Sequence, residues 1–327
     1  MSDGGDESVV WTNWAGNQTC RPVTVARPTT AVETASVVAA AASAGRRVKP
    51  VGSGHSFSPV ALTDGVLVDL SGMCGLAGVE RNVARASALG LPPALGESVS
   101  LVRVRAGTRL RHLNQMLAEQ GLAMPNLGDI DAQTISGALA TGTHGTGARF
   151  PGLAACVTAV QLVLANASIV ECSRHVRPEL FAAARLGIGA IGIVTEVELA
   201  CVPAFLVRAQ ERPERLGAVL ERLPEWAADT DHVDLYVFPH TDRALVHGWP
   251  TGGGGSTTTC CRTPCWSGSA GSGRGRRRGC PRSTRSRAGR CRHARSWRPR
   301  TRSSSRDATC GSGSVSGRCP RRRWCRC

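Results

Sequence analysis

The chain has 327 residues, enough for two domains and a sizeable core. Its formal net charge of +16 is uneven: residues 1–250 carry 20 basic and 23 acidic side chains, and residues 251–327 carry 20 arginines and a single acid, Asp307. The last segment alone makes the chain basic, and the first 250 residues do not have the composition of a nucleic-acid binder. The start, Met1-Ser2-Asp3-Gly4-Gly5-Asp6-Glu7, is acidic where a secretion signal is basic, and no apolar run approaches the roughly 20 residues of a membrane helix, so a cytoplasmic chain is expected. Five cysteines before residue 250 (Cys20, Cys74, Cys156, Cys172 and Cys201) show no metal-ligand spacing; free thiols and no metal site are expected.

The elements are read in chain order. Val23–Ala26 is strand-like, and Thr30-Ala31-Val32-Glu33 is a capping box that opens an alanine-rich helix running to Ser43-Ala44 and stopped by Gly45. A strand from Val48 to Val51 follows, completing a strand–helix–strand unit. Short β runs are predicted at Val66–Asp69, Leu76–Glu80 and Leu101–Arg105. A second helix opens after Ala106-Gly107-Thr108, buries Leu110, Leu113 and Leu117 on one face, and ends at Gly121. Paired strands surround the turn Asn166-Ala167, a short helix starts at Pro178, and a long β run is expected over Ile188–Leu199. A strand at Phe205–Gln210, a helix over Pro213–Trp226 and a strand at Val233–Phe238 suggest the start of a second α+β domain.

Two glycine-bearing loops stand out. The first, Gly52-Ser53-Gly54-His55-Ser56-Phe57, follows the Val48–Val51 strand; its glycines let amide groups face a ligand, which suits a nucleotide diphosphate. It is not a Rossmann fingerprint, because Phe57 stands at the third glycine position and no helix opens from the loop. The second spans Gly128, Asp129, Thr134, Ser136, Gly137, Gly142, Thr143, His144 and Gly145; its small and hydroxyl side chains admit a flat ring and a diphosphate close to the backbone. It is read as the opposite wall of one nucleotide site.

These loops, the Pro178-Glu179-Leu180-Phe181 helix start and Gly189-Ala190-Ile191-Gly192-Ile193-Val194, in this order, resemble the FAD-linked sugar-1,4-lactone oxidases and dehydrogenases of the vanillyl-alcohol-oxidase type, over roughly residues 11–250. The run Leu235-Tyr236-Val237-Phe238-Pro239-His240-Thr241 resembles them too. The resemblance implies an α+β fold: a two-subdomain FAD-binding domain of PCMH type at 11–200, then a truncated α+β substrate domain beginning at 201–250. It implies FAD held by residues 52–57, by the second loop and by Gly192, Ile193 and Val194, with His55 matching the histidine that bonds covalently to the flavin in many members. The implied reaction is oxidation of a lactone hydroxyl by hydride transfer to the flavin. Electrons then pass to O2 or to a cytochrome- or quinone-type acceptor, and peripheral association with a membrane is compatible with this. Substrate-side catalytic residues are expected in the remainder of the substrate domain and are not assigned.

The segment 251–327 departs from this pattern. Val315 is its one Val, Ile, Leu, Met or Phe, so it is expected to be disordered, and an abrupt change to Arg, Gly, Ser and Cys suggests a frameshifted reading of the substrate domain. Read literally, it would bind nucleic acid through charge alone, without specificity. A chain without the substrate-side wall is expected to hold FAD weakly and to turn over poorly, so a catalytically silent FAD-binding remnant stands as the alternative reading. For His144 a structural role in its glycine loop weighs at least as much as a catalytic one, and His240 and His247 read as structural or simply solvated.

Overall fold

The structure, a computed structural model, describes residues 9–248 and 257–261. Strands β1 (Trp11–Thr12) and β2 (Thr19–Cys20) pair as a short antiparallel hairpin. The strand–helix–strand unit follows as β3 (Thr24–Ala26), α1 (Ala31–Ser43), β4 (Val48–Val51) and β5 (Val66–Asp69), the three strands forming a parallel sheet in the order β3-β5-β4. The capping box is present: Thr30 Oγ1 accepts from the Glu33 amide at 3.1 Å, and the Glu33 carboxylate reaches back one residue further than the simplest form, to the Thr29 amide at 2.7 Å. Gly45, at φ +63°, ends the helix in the left-handed conformation that glycine adopts without steric cost.

A second, antiparallel sheet is built from β6 (Leu76–Ala84), β7 (Val99–Arg105), β8 (Leu122–Ala123), β9 (Val157–Val163), β10 (Ile169–Ser173) and β11 (Ile193–Pro203). Its order is β10-β9-β11-β7-β6, with β8 paired to the end of β11. Helices α2 (Leu110–Glu119), α3 (Ile135–Ala140) and α4 (Pro178–Ala184) contribute to one core with one face of this sheet. Leu110, Leu113 and Leu117 are fully buried there against Val102, Val104 and Leu199, as their spacing predicts. On the other face Arg103 lies among Glu171, Glu196 and Glu198 at 2.8, 3.3 and 3.1 Å.

A third sheet, in the order β13-β14-β12-β15, contains β12 (Leu206–Arg215), β13 (Asp234–Val237), β14 (Arg243–His247) and β15 (Thr257–Cys261). Helix α5 (Leu216–Asp229) covers it through Val219 and Trp226, which bury against Ala244 and Val246. Strand β15 pairs with Leu206–Gln210 inside the segment expected to lack structure; the rest of 251–327, and with it the frameshift and disorder expectations, lies outside the described residues.

Three expectations change. The β run expected from Ile188 begins only at Ile193, because Ile188, Gly189 and Gly192 take φ values of +53°, +69° and +159° and break the extended chain. The helix expected from Pro213 begins at Leu216, because Pro213 is drawn into β12 opposite Leu245. Thr134–Gly147 also contains a helix, α3, which its glycines and hydroxyls concealed.

Leu113 is fully buried, so Leu113→Ala is expected to destabilise the protein by about 2–5 kcal/mol, whereas Val32→Ala on the exposed side of α1 should change stability by less than about 0.5 kcal/mol. Denaturant unfolding of the two variants checks this.

Candidate functional site

The loop 52–57 leaves the C-terminal end of β4, and the N-terminal hairpin braces it. The Trp14 amide donates to the Gly54 carbonyl at 2.8 Å, and Asn13 Nδ2 donates to the Ser56 carbonyl at 2.9 Å. Gly54 sits at φ +68°, and a Cβ there would stand 3.2 Å from the Trp11 ring, so the position requires glycine. The Trp14 indole stacks on the His55 imidazole with centroids 5.0 Å apart and planes 22° off parallel. The amides of Ser53, Gly54 and His55 donate to no protein acceptor among the described residues and remain available to a ligand.

Helix α3 faces this loop. Thr134 Oγ1 caps it by accepting from the Gly137 amide at 3.2 Å. The Ile135 and Ser136 amides donate to the Thr108 and Ala106 carbonyls at 2.8 and 3.2 Å, so the first-turn donors of α3 are used within the protein. The two segments meet closely: a Cβ at Gly52 would lie 2.3 Å from Thr134 Oγ1, and Ser53 Oγ donates to the Ala132 carbonyl at 2.6 Å. The turn before β11 forms a third side, with a Cβ at Gly189 falling 3.1 Å from Pro50 and one at Gly192 falling 2.7 Å from the Val163 carbonyl oxygen.

These segments enclose a solvent-open cleft of about 130 Å³. Gly52, Ser53, Gly54, His55 and Ser56 line it from one side, and Thr134, Ser136 and Gly137 from the other; Gly192 and Val194 complete the set of predicted residues on its wall. Its inner end reaches buried Leu139, Val160, Leu162 and Val197, an apolar floor between α3 and the sheet. Among the described residues, Lys49, His55 and Arg185 are the ionisable groups of the wall, and no carboxylate lines it.

The other predicted residues lie elsewhere. Phe57 points outward and is 65% exposed, and Ile193 is buried in the core beneath the parallel sheet. Gly142, at φ +72°, follows α3 outside the cleft wall. Gly128, Thr143, His144 and Gly145 pack on one another: a Cβ at Gly128 would meet Thr143 Cγ2 at 2.9 Å, and one at Gly145 would meet the Leu127 carbonyl oxygen at 2.1 Å. His144 is exposed, with Nδ1 3.0 Å from the Gly145 carbonyl. Burial raises the Asp234 pKa; His247 opposes this, and the charges of Asp129 and Glu211 add to the rise. Near this cluster Thr146 accepts from His232 Nδ1 at 3.0 Å in the Nδ1–H tautomer, and Phe150 stacks on the same ring, tying the loop to the end of α5. Wall residues Lys49, Arg185 and Ile188 had no sequence signal of their own, since the fold alone brings them to the cleft.

Burial, and then the charges of Arg109 and Arg111, hold the His55 pKa below its ordinary value. Its imidazole is therefore neutral at pH 7 and offers a nitrogen lone pair.

Comparison with known proteins agrees with this geometry. A family model described as "FAD binding domain" matches residues 22–173, and one described as "D-arabinono-1,4-lactone oxidase" matches residues 197–250. Over residues 22–250 the chain is similar to FAD-linked sugar-1,4-lactone oxidases and dehydrogenases. It is 39% identical over 239 residues to an L-gulono-1,4-lactone dehydrogenase of Mycobacterium tuberculosis, covering 73% of this chain and 51% of that protein. It is 34% identical over 242 residues to the L-gulonolactone oxidase of Bos taurus, covering 74% and 51%. The chain thus spans about half the length of the curated relatives it matches. A solved structure titled "Solvent-stable cholesterol oxidase" superposes with a TM-score of 0.61 at 19% identity, over 74% of this chain and 47% of that one, and shares the fold. The cofactor of this domain is FAD. The residues present fit it: free loop amides and a wall without carboxylates suit a diphosphate, the missing Cβ atoms leave room against the backbone, and the apolar floor suits a flat ring.

Two outcomes are expected. Gly52→Ala should cost about 1–3 kcal/mol by overpacking and Thr134→Ala about 1 kcal/mol by loss of the cap, and the double variant should cost less than the sum because the clashing Oγ1 is gone; denaturation of all four proteins reads the coupling. In an NMR titration, His55 should protonate below the usual imidazole range, and replacing Arg109 and Arg111 by glutamine should raise its midpoint only in part, since burial is the larger cause.

Proposed function

We propose that the protein is an FAD-dependent oxidoreductase that oxidises a hydroxyl of a sugar-1,4-lactone of the L-gulono-, L-galactono- or D-arabinono- class. The observation that supports this most strongly is the convergence of the His55 loop and the Thr134 helix on one cleft, together with the lactone-oxidase match over residues 197–250. FAD, when bound, supplies the two-electron acceptor for such an oxidation. The protein's own residues bind and orient: the Ser53–His55 amides hold the diphosphate, the α3 cap sets the width of the cleft, and the apolar floor excludes water. His55, neutral and braced by Trp14, is the proposed point of covalent attachment.

Electrons leave to O2 or to a cytochrome- or quinone-type acceptor, and the proposed compartment is the cytoplasm, in keeping with five free cysteines among the described residues. No helix among the described residues is long and apolar enough to cross a membrane. A second reading is a chain that binds FAD without turnover.

Reconstitution with FAD and anaerobic addition of the three lactones separates the readings. We expect at least one lactone to bleach the flavin absorbance slowly, and a share of the flavin to stay with the protein through acid precipitation and to vanish in His55→Ala. Bound flavin that no lactone bleaches would select the silent reading, and absence of flavin binding would overturn both.

A further inference from the structure

We propose that Arg185, aided by Lys49, is the electrostatic partner of the FAD diphosphate. This rests on the cofactor reading above and adds a charged contact to a site otherwise built from backbone amides.

Arg185 closes α4 as its C-terminal cap residue and lines the cleft. Its guanidinium lies over the Phe181 ring, 5.0 Å from the centroid, which fixes its plane. Nη1 donates to the Ala154 carbonyl at 3.3 Å, while Nε is shielded from solvent and has no hydrogen-bond partner. No carboxylate forms an ion pair with Arg185 among the described residues. Burial and then the neighbouring Arg174 charge both disfavour its cationic form. A half-buried cation with a shielded, idle donor, in a wall that holds no acid among the described residues, lacks the anion that such groups are ordinarily paired with. Lys49, the single lysine of the chain, stands on the wall contributed by β4 and adds a second positive charge. The diphosphate of FAD carries two negative charges and presents several phosphoryl oxygens, which a planar guanidinium can meet with paired N–H groups.

The bland alternative is that Arg185 serves only the C-terminal end of α4, whose exposed carbonyls attract a cation. That role places no demand on the ligand's phosphates. The test is therefore a comparison of three probes, FAD, ADP and riboflavin, binding to the full chain, its Arg185→Gln, Arg185→Lys and Lys49→Gln variants, followed by fluorescence quenching and calorimetry. Arg185→Gln should weaken FAD and ADP by about 10-fold or more while leaving riboflavin unchanged; Arg185→Lys should recover part of the loss and Lys49→Gln should show a smaller loss of the same pattern. Raising salt should weaken FAD and ADP but not riboflavin in the wild-type chain, a readout that stands even where a variant fails to fold. Unchanged FAD affinity in folded Arg185→Gln, equal losses for riboflavin, or salt-independent FAD binding would overturn the proposal and leave the cofactor reading intact. A wild-type chain that binds none of the three probes would overturn both.

Discussion

The close approach of the Gly52 backbone to the Thr134 hydroxyl sets the geometry on which the rest of the site depends. A methyl group at residue 52 has no room, because the oxygen it would strike lies 2.3 Å from the Cβ position and is already engaged as the cap of α3. The parallel sheet and the antiparallel sheet approach each other here, where the end of β4 meets the start of α3. The joint is reinforced from beneath: Val163 of β9 and Ile193 of β11 complete the core formed by Val38, Ala41, Val66 and Val68 of the parallel unit. The two halves share buried surface, so the cleft between them has fixed walls, and preformed walls lower the ordering cost of binding a long ligand.

Charge is arranged to the same end. Among the described residues the cleft wall holds Lys49 and Arg185 and no acid, while carboxylates gather away from it: Glu171, Glu196 and Glu198 surround Arg103 on the opposite face of the sheet, and Asp129 and Asp234 lie by β13. This separation favours an anionic cofactor over a cationic one and explains why the free amides of Ser53–His55 need no acidic neighbour. The N-terminal hairpin adds precision of another kind, since Trp14 and Asn13 hold the loop that carries His55.

Much of this was legible in the sequence because local rules sufficed. The capping box at Thr30, the apolar spacing of Leu110, Leu113 and Leu117, and the β4 and β5 runs follow from backbone preferences and burial, and the structure has them where expected. The pairing of the first glycine loop with Thr134–Gly137 was legible through composition. What escaped needed the third dimension or competed with a local signal. Pro213 reads as a helix start but pairs in β12; Ile188 reads as strand but turns left-handed. Arg185 and Lys49 carry no motif and reach the cleft only through the packing of α4 and β4. Gly128, Thr143, His144 and Gly145 shared the glycine-rich look of the site, yet the missing Cβ atoms of Gly128 and Gly145 serve the packing of two loops against each other.

Hydrogen exchange followed by mass spectrometry, with and without saturating FAD, tests the central claim most directly. If one cleft holds one cofactor, the amides of Ser53–His55 and those around Ile188–Val194 should slow together on FAD addition, along the same saturation curve, because both line the same walls. Protection of only one of the two segments, or protection confined to residues outside the cleft, would contradict the account.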